Sequence, residues 1–384
     1  MSPRARHPIK LKLELQRKKI SPPPVRNPLD FAPARASFCA VNSLIIGLLS
    51  ALVATNQAAA VSNLVTQTTG RVITVPDPND PVEAQFKKIE TADDDAQAEV
   101  DNWLRENNEF KAKGAGIPDA EMNRRITKRF AIVRQGYEDF IKLHPNHVKA
   151  RVAFASFLDD IHDEDGEMEQ LEKAHELDPK DASVWNNMAN YYGHNSPVKK
   201  AFEFYEKAIE LDPHEPVYLQ NFATTVYLFR KDAAEYYHIT EQQIFDKALG
   251  LYTQALKLSP TNFPLATDLA QSYYGIKPVR TADALQAWTN ALAVAHNEIE
   301  REGVYLHLAR FKLNAGMFAE AHAHLNDVTN ENFTDLKNRL ARNLEERERL
   351  AGDTNNPPAV SVKVEVTNEI PATVTTTNST PEKK

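Results

Sequence analysis

Four clusters in this chain have residue types and spacings that suggest chemistry: an acidic run, two close histidine pairs and a tyrosine-rich stretch. In the run Asp159 to Gly166, aligning Gly166 with the glycine of a calcium loop puts Asp163, Asp165 and Glu172 at ligand positions. The first ligand position then falls on Ile161, which removes a main anchor, so the run reads as a solvated turn between two helices. His322 and His324 stand two apart on a helical segment and point to different sides, unlike the i, i+4 pair of a helical metal site. His144 and His147 flank Pro145 in a turn and read as surface residues. The glycines Gly114 and Gly116 follow a helical stretch and lack a third partner, which fits a helix stop rather than a phosphate loop. Nucleophile-elbow, P-loop and metalloprotease helix motifs are all missing, and no catalytic, cofactor or metal residue is predicted. The remaining chemistry lies in the segment 230–242, where Tyr236, Tyr237, His238 and Glu241 would serve an alternative reading as an envelope enzyme or carbohydrate-handling protein.

What would position any of these groups is a recurring unit. Pro145, Pro179 and Pro213 are spaced 34 residues apart and close the phrases KLHP, ELDP and ELDP, and a further copy, KLSP, ends at Pro260. A fixed period of this size marks a unit that cannot bury its apolar face until a neighbour stacks on it. Only 12 glycines are spread over 384 residues, and strand formers do not dominate between about residue 91 and residue 350, which favours an all-helical body. The lone Cys39 precludes a disulfide framework, a cysteine-ligated zinc or a thiol nucleophile within the repeats.

Residues 182–215 carry Trp185, Met188, Ala189, Tyr192, Ala201, Tyr205, Ala208 and Pro213, and on these positions the chain resembles the tetratricopeptide repeat family. The physical reading runs beside the resemblance. Ala189 and Ala201 are small where two antiparallel helices cross, aromatic side chains fill the space around the crossing, and Pro213 stops the second helix. The unit 148–181 is a degenerate copy with Glu167 where the small residue of the second helix belongs. The next unit is interrupted: Pro213 and Pro260 are 47 apart, that is 34 plus 13. This insertion is expected to lengthen the first helix and to restart the second at Thr240, with Gln243 completing a capping box. Two further units follow around Ala270 and Ala309, and an amphipathic helix over 331–350 should close the stack. The fold expected is all-α, a right-handed superhelical stack of antiparallel helix pairs with a C-terminal capping helix.

Residues 1–37 hold nine Lys or Arg against Glu14 and Asp30, a net of +7. An apolar run from Leu44 to Ala54 and an A-x-A-like site at Ala58 and Ala60 follow, in the order of a secretory signal. The expected organisation is a basic leader over 1–37, a signal peptide or membrane anchor over 38–60 and a linker over 61–90. A helix pair over 91–147, starting at Thr91, leads into the repeat array over 148–350, and a disordered tail covers 351–384. Within the tail, Val360 to Val366 alternates but reads as linker. The protein is thus expected to be exported, periplasmic or secreted, or held at the inner membrane through residues 38–54. Without residues 1–60 the chain has 36 basic and 51 acidic residues, a net of −15, which argues against nucleic acid as a partner.

The resemblance assigns positions 2, 5, 9 and 12 of each repeat to a concave wall, which here gives Asn186, Asn190, Gln220, Thr224, Tyr227, Thr267, Gln271 and Tyr274. Amides, hydroxyls and phenols on such a wall offer donors and acceptors to an extended peptide. A non-enzymatic scaffold that binds another protein in this groove, with no cofactor and no small-molecule substrate, is the expected function. Some members of the tetratricopeptide repeat family clamp a partner's terminal carboxylate with lysines and asparagines in the groove; Asn190 matches that pattern, but Val152 and Ser156 stand where the first cationic and amide partners would be, so such a clamp is not expected.

Overall fold

The computed structural model describes residues 80–352. The basic leader, the signal or anchor segment, most of the linker and the C-terminal tail lie outside the described residues, and so does the alternating stretch Val360 to Val366. No helix among the described residues is long and apolar enough to cross a membrane.

Helices α1 (Pro81–Ala112) and α2 (Asp119–Leu143) form the first antiparallel pair. Helix α1 begins at Pro81, not at the expected Thr91, because better start signals lie upstream. The Asp80 carboxylate accepts from the Val82 N–H at 2.8 Å, and Pro81 presets the backbone of the first turn. Thr91 sits inside the helix with its hydroxyl donating back to the Lys87 carbonyl at 2.9 Å. The helix stops at Gly114, whose φ of 77° lies in the left-handed region, and the turn after it is clamped by buried Asn107, whose Oδ1 accepts from the Ile117 N–H at 2.8 Å.

The repeats follow as α3 (Val148–Asp160) with α4 (Glu164–Leu177), then α5 (Ala182–Asn195) with α6 (Val198–Leu211). The third unit is α7 (Pro216–Leu228), an inserted α8 (Arg230–Tyr237) and α9 (Glu241–Leu258). The fourth is α10 (Phe263–Ser272) with α11 (Thr281–Ala293), and the fifth α12 (Glu298–Asn314) with α13 (Phe318–Asn326). From the second unit on, each first helix crosses its second helix through buried alanines, while Glu167 takes the second-helix position in the first unit. Ala189 meets Ala201 in the second unit, and Ala223, Ala270 and Ala309 repeat the pattern with exposures of 0 to 2%. Small residues there let the backbones approach closely, and Tyr205, Phe222, Tyr252 and Trp288 fill the volume beside them.

The insertion corrects one expectation. It does not lengthen the first helix: the chain bends at Phe229 and forms the separate helix α8, which ends at His238 in the left-handed region with φ 54°. The bend buries Ala233 completely and lays Tyr236 and Tyr237 against Phe202 at 5.5 and 6.0 Å between ring centroids, contacts that a straight extension would not reach. The capping box forms as expected, with Thr240 and Gln243 bonded reciprocally.

A 3-10 turn (Glu331–Phe333) and α14 (Thr334–Gly352) close the stack by placing Leu336, Leu340 and Leu344 in the core. Buried Glu302 ties this lid to α12, its carboxylate accepting from the N–H groups of Thr329 and Asn330 at 2.9 and 2.7 Å.

Candidate functional site

The first helices of successive units lie side by side, and a run of side-chain hydrogen bonds passes from each to the next. Gln97 of α1 donates to Asp160 of α3 at 3.1 Å, and Ser156 of α3 donates to Asn187 of α5 at 3.3 Å. Asn221 of α7 donates to Asn186 at 3.2 Å, and Gln220 of α7 donates to the Asp268 carboxylate of α10 at 2.7 Å. The seam ends where the Tyr274 hydroxyl meets Nδ1 of His307 at 2.8 Å.

This seam uses up several of the groups expected to face a ligand. Asn186 is buried and bonded within it, and the half-buried Gln220 and Tyr274 are bonded within it too. Thr224 donates to the Gln220 carbonyl at 3.0 Å and meets the Tyr252 hydroxyl at 2.7 Å, while Thr267 bonds the Pro264 carbonyl at 2.8 Å. Tyr227 packs its hydroxyl into the space left by Gly275, where a Cβ would collide with it. Asn190 accepts from the Tyr205 hydroxyl at 2.7 Å, which leaves its Nδ2 without a side-chain task. The side-chain amide of Gln271 has no hydrogen-bond partner among the described residues. Half of the predicted ladder, Asn186, Gln220, Tyr227 and Tyr274, therefore locks repeat to repeat, Thr224 and Thr267 bond within their own units, and Asn190 and Gln271 retain open amide groups.

Electrostatics on the wall follow burial. Burial pushes the Asp268 carboxyl up, with the Gln220 amide opposing it. Burial and then the charge of Arg310 push His307 down to about 3, so its ring is neutral, stacked on Trp288 at 4.0 Å and able to accept from Tyr274. Arg310 itself stands over the Tyr274 ring at 5.8 Å. Sequence reasoning missed Asp268, His307 and Arg310, although carrying the same register into the fifth unit from Ala309 points straight at the last of these.

The other candidate groups are engaged in packing. Tyr237 donates to Glu206 at 2.6 Å, Glu241 pairs with Arg230 at 2.7 Å, and His238 ends α8. Asp163 caps α4 by accepting from the Gly166 N–H at 3.1 Å and pairs with Arg134 at 2.7 Å. His322 reaches Glu348 of α14 at 3.0 Å, whereas His324 stacks on Tyr305. His147, read from the sequence as a surface residue, instead caps α3 through Nδ1 at 3.0 Å from the Ala150 N–H and packs between Phe86 and Phe140. Glu167 is buried where the other units have alanine, and its Oε2 has no hydrogen-bond partner. Burial pushes its carboxyl up to about 8, helped by Asp159 and Glu164 and opposed by His194. Among the described residues no group of three or more His, Cys, Asp or Glu is arranged to hold a metal ion.

Known proteins share this architecture. A tetratricopeptide repeat model matches residues 182–215, and photosystem I assembly protein Ycf3 of Cyanophora paradoxa is 30% identical over 147 residues, 36% of this chain and 83% of that protein. The chain belongs to the tetratricopeptide repeat family. The Ycf3 of Rippkaea orientalis is 29% identical over 147 residues, with the same 36% and 83% coverage. Among solved structures, Pseudomonas aeruginosa PilF is similar at a TM-score of 0.41 and 15% identity, over 67% of this chain and 98% of that one. The type IV pilus biogenesis factor PilW is similar at a TM-score of 0.42 and 14% identity, over 59% of this chain and 90% of that one. As a tetratricopeptide repeat protein, the chain has an all-α helical-repeat solenoid whose architecture fits a protein-interaction role.

Proposed function

We propose that this protein is a non-enzymatic scaffold that holds an extended segment of a partner protein along the wall of its first helices, in the service of assembling a protein complex. The observation that carries this reading is the wall itself. Five inter-unit hydrogen bonds hold the first helices in register, and Asn190 and Gln271 keep donors and acceptors open on them. A preorganised surface of this kind costs little to order on binding, and amides pair with the backbone of an extended chain. The relatives' name, photosystem I assembly protein, supports a role in assembly.

The compartment belongs to the same proposal. The basic leader, apolar run and small-residue site within residues 1–60 support export or anchoring at a membrane, with the repeats outside the cytosol. Mass spectrometry of the mature amino terminus, combined with fractionation, should find cleavage near Ala60 or an intact chain in the membrane fraction. An intact chain in the cytosol would overturn the assignment. For the wall, recovery of partners on the tagged full chain should drop at least about tenfold when Asn190→Ala and Gln271→Ala are combined, with thermal melting unchanged. Unchanged recovery would remove the wall as the binding surface.

A further inference from the structure

One side of the first helix pair is free of the array. Gln97 of α1 bonds to Asp160 of α3 at 3.1 Å, and Trp103, six residues on, lies about 120° around the helix from it at about 100° per residue. Phe110 follows about two turns after Trp103 on the same side. On α2 the matching row is Arg125, Lys128 and Ile132, at i, i+3 and i+7. The Arg125 guanidinium sits 3.7 Å from the centre of the Trp103 ring, so the two rows share one face of the hairpin. That face looks away from α3, at the open end of the stack. It is also preformed, because buried Asn107 bonds both the N–H and the carbonyl of Ile117, at 2.8 and 3.3 Å, and fixes the turn between the two helices.

Its composition differs from the rest of the body. Ile132 is 66% and Phe110 53% exposed, and Trp103 is half-buried beneath Arg125. Residues 110–133 hold Lys111, Lys113, Arg124, Arg125, Lys128 and Arg129 against Asp119 and Glu121, a net of +4, whereas the chain without residues 1–60 has 36 basic and 51 acidic residues, a net of −15. Lys111, Arg124 and Arg129 pair with Asp119, Glu121 and Glu99. Lys113, Arg125 and Lys128 are in no ion pair among the described residues. A second copy meeting this face about a twofold axis would set +4 against +4, which argues against a dimer here. Single apolar side chains set among cations suit a lipid interface instead, where aromatic rings sit at headgroup depth and Lys and Arg meet phosphates.

We propose that this face, formed by Trp103, Phe110, Arg125, Lys128 and Ile132, rests on an anionic lipid bilayer, with the unpaired cations on lipid phosphates. The wall of first helices is a separate surface, so this goes beyond the scaffold reading and takes from the compartment reading only the nearness of a membrane. Residues 55–80 lie between the apolar run and α1 and reach on the order of 90 Å when extended, more than the roughly 48 Å length of α1.

The test reads Trp103 fluorescence in the full chain incorporated into vesicles whose lipids carry brominated acyl chains, which quench an indole that reaches them. Trp185 and Trp288 lie within the repeats, and Trp103→Phe isolates the signal by difference. Quenching of Trp103 should be at least about threefold greater with about 30% phosphatidylglycerol than with phosphatidylcholine alone, and the difference should fade as salt rises toward about 1 M. Lys113→Glu with Lys128→Glu, both at exposed positions, should abolish the difference while circular dichroism and melting stay unchanged, and Lys113→Arg with Lys128→Arg should keep it. Equal quenching in the two lipids would overturn the anionic bilayer. No quenching in either would overturn the membrane as occupant, and a photo-crosslinker at Ile132 then tells whether an acidic protein takes the face instead. Neither result bears on the wall, which partner recovery with Asn190→Ala plus Gln271→Ala tests separately.

Discussion

Glu167 offers the sharpest perturbation. It is 4% exposed at a helix crossing where Ala201, Ala248, Ala284 and Ala321 stand in the other units, and its carboxyl is pushed up from 4.5 to about 8. At pH 7 the folded protein holds this group protonated while the unfolded chain carries it ionised. Folding must therefore take up a proton, at roughly 1.4 kcal/mol per unit between 4.5 and 7, or about 3 kcal/mol. A raised folded-state value gives stability that is complete below pH 4.5 and is lost as pH rises toward 8, where the penalty levels off near 5 kcal/mol. Glu167→Gln has no proton to take up. In urea titrations the advantage of this variant over the wild type should grow by roughly 3 kcal/mol between pH 5 and pH 8. Trp185 on α5 packs edge-on against His175 of α4 at 4.7 Å, so its fluorescence reports this junction, and hydrogen exchange should show the gain concentrated in α4 and α5. Parallel pH profiles for the two proteins would refute the reasoning.

Three further outcomes are expected. The His307 ring should stay neutral from pH 7 to pH 4, so its NMR shifts remain flat. Because its folded value is depressed to about 3, its contribution to stability is present above 6.5 and is lost as pH falls through that window, a slope that His307→Gln removes. Gly275→Ala should destabilise by roughly 1–3 kcal/mol through collision with the Tyr227 hydroxyl, and Tyr227→Phe should restore part of that loss in a double-mutant cycle. Ala201→Leu should overpack the crossing of α5 and α6 at a cost of roughly 1–3 kcal/mol, read as a lower urea midpoint.

The helix pairs were legible in the sequence because their packing depends on residue size at fixed intervals. Ala189, Ala201 and Tyr205 state their environment by type alone, and the Thr240 capping box is a local signal that tertiary contacts had no reason to change. The start of α1 was misplaced because Thr91 and Asp80 are both capping residue types, and the stronger cap Asp80 together with Pro81 beside it decides between them. The bend into α8 was hidden because it depends on where Phe202 lies in space, which no spacing within 229–240 encodes. The wall was read as a row of open amides because hydrogen bonds between neighbouring first helices join residues 31 to 63 positions apart, such as Ser156 with Asn187 and Gln97 with Asp160.

The central claim is that a partner lies along the wall of first helices. A photo-crosslinking amino acid placed at Asn190 or Gln271, on that wall, or at Glu203, exposed on the second helix α6, tests it most directly in cells. Covalent adducts with one partner protein should form from both wall positions and not from Glu203. Adducts from Glu203 alone would show that the partner uses the opposite surface.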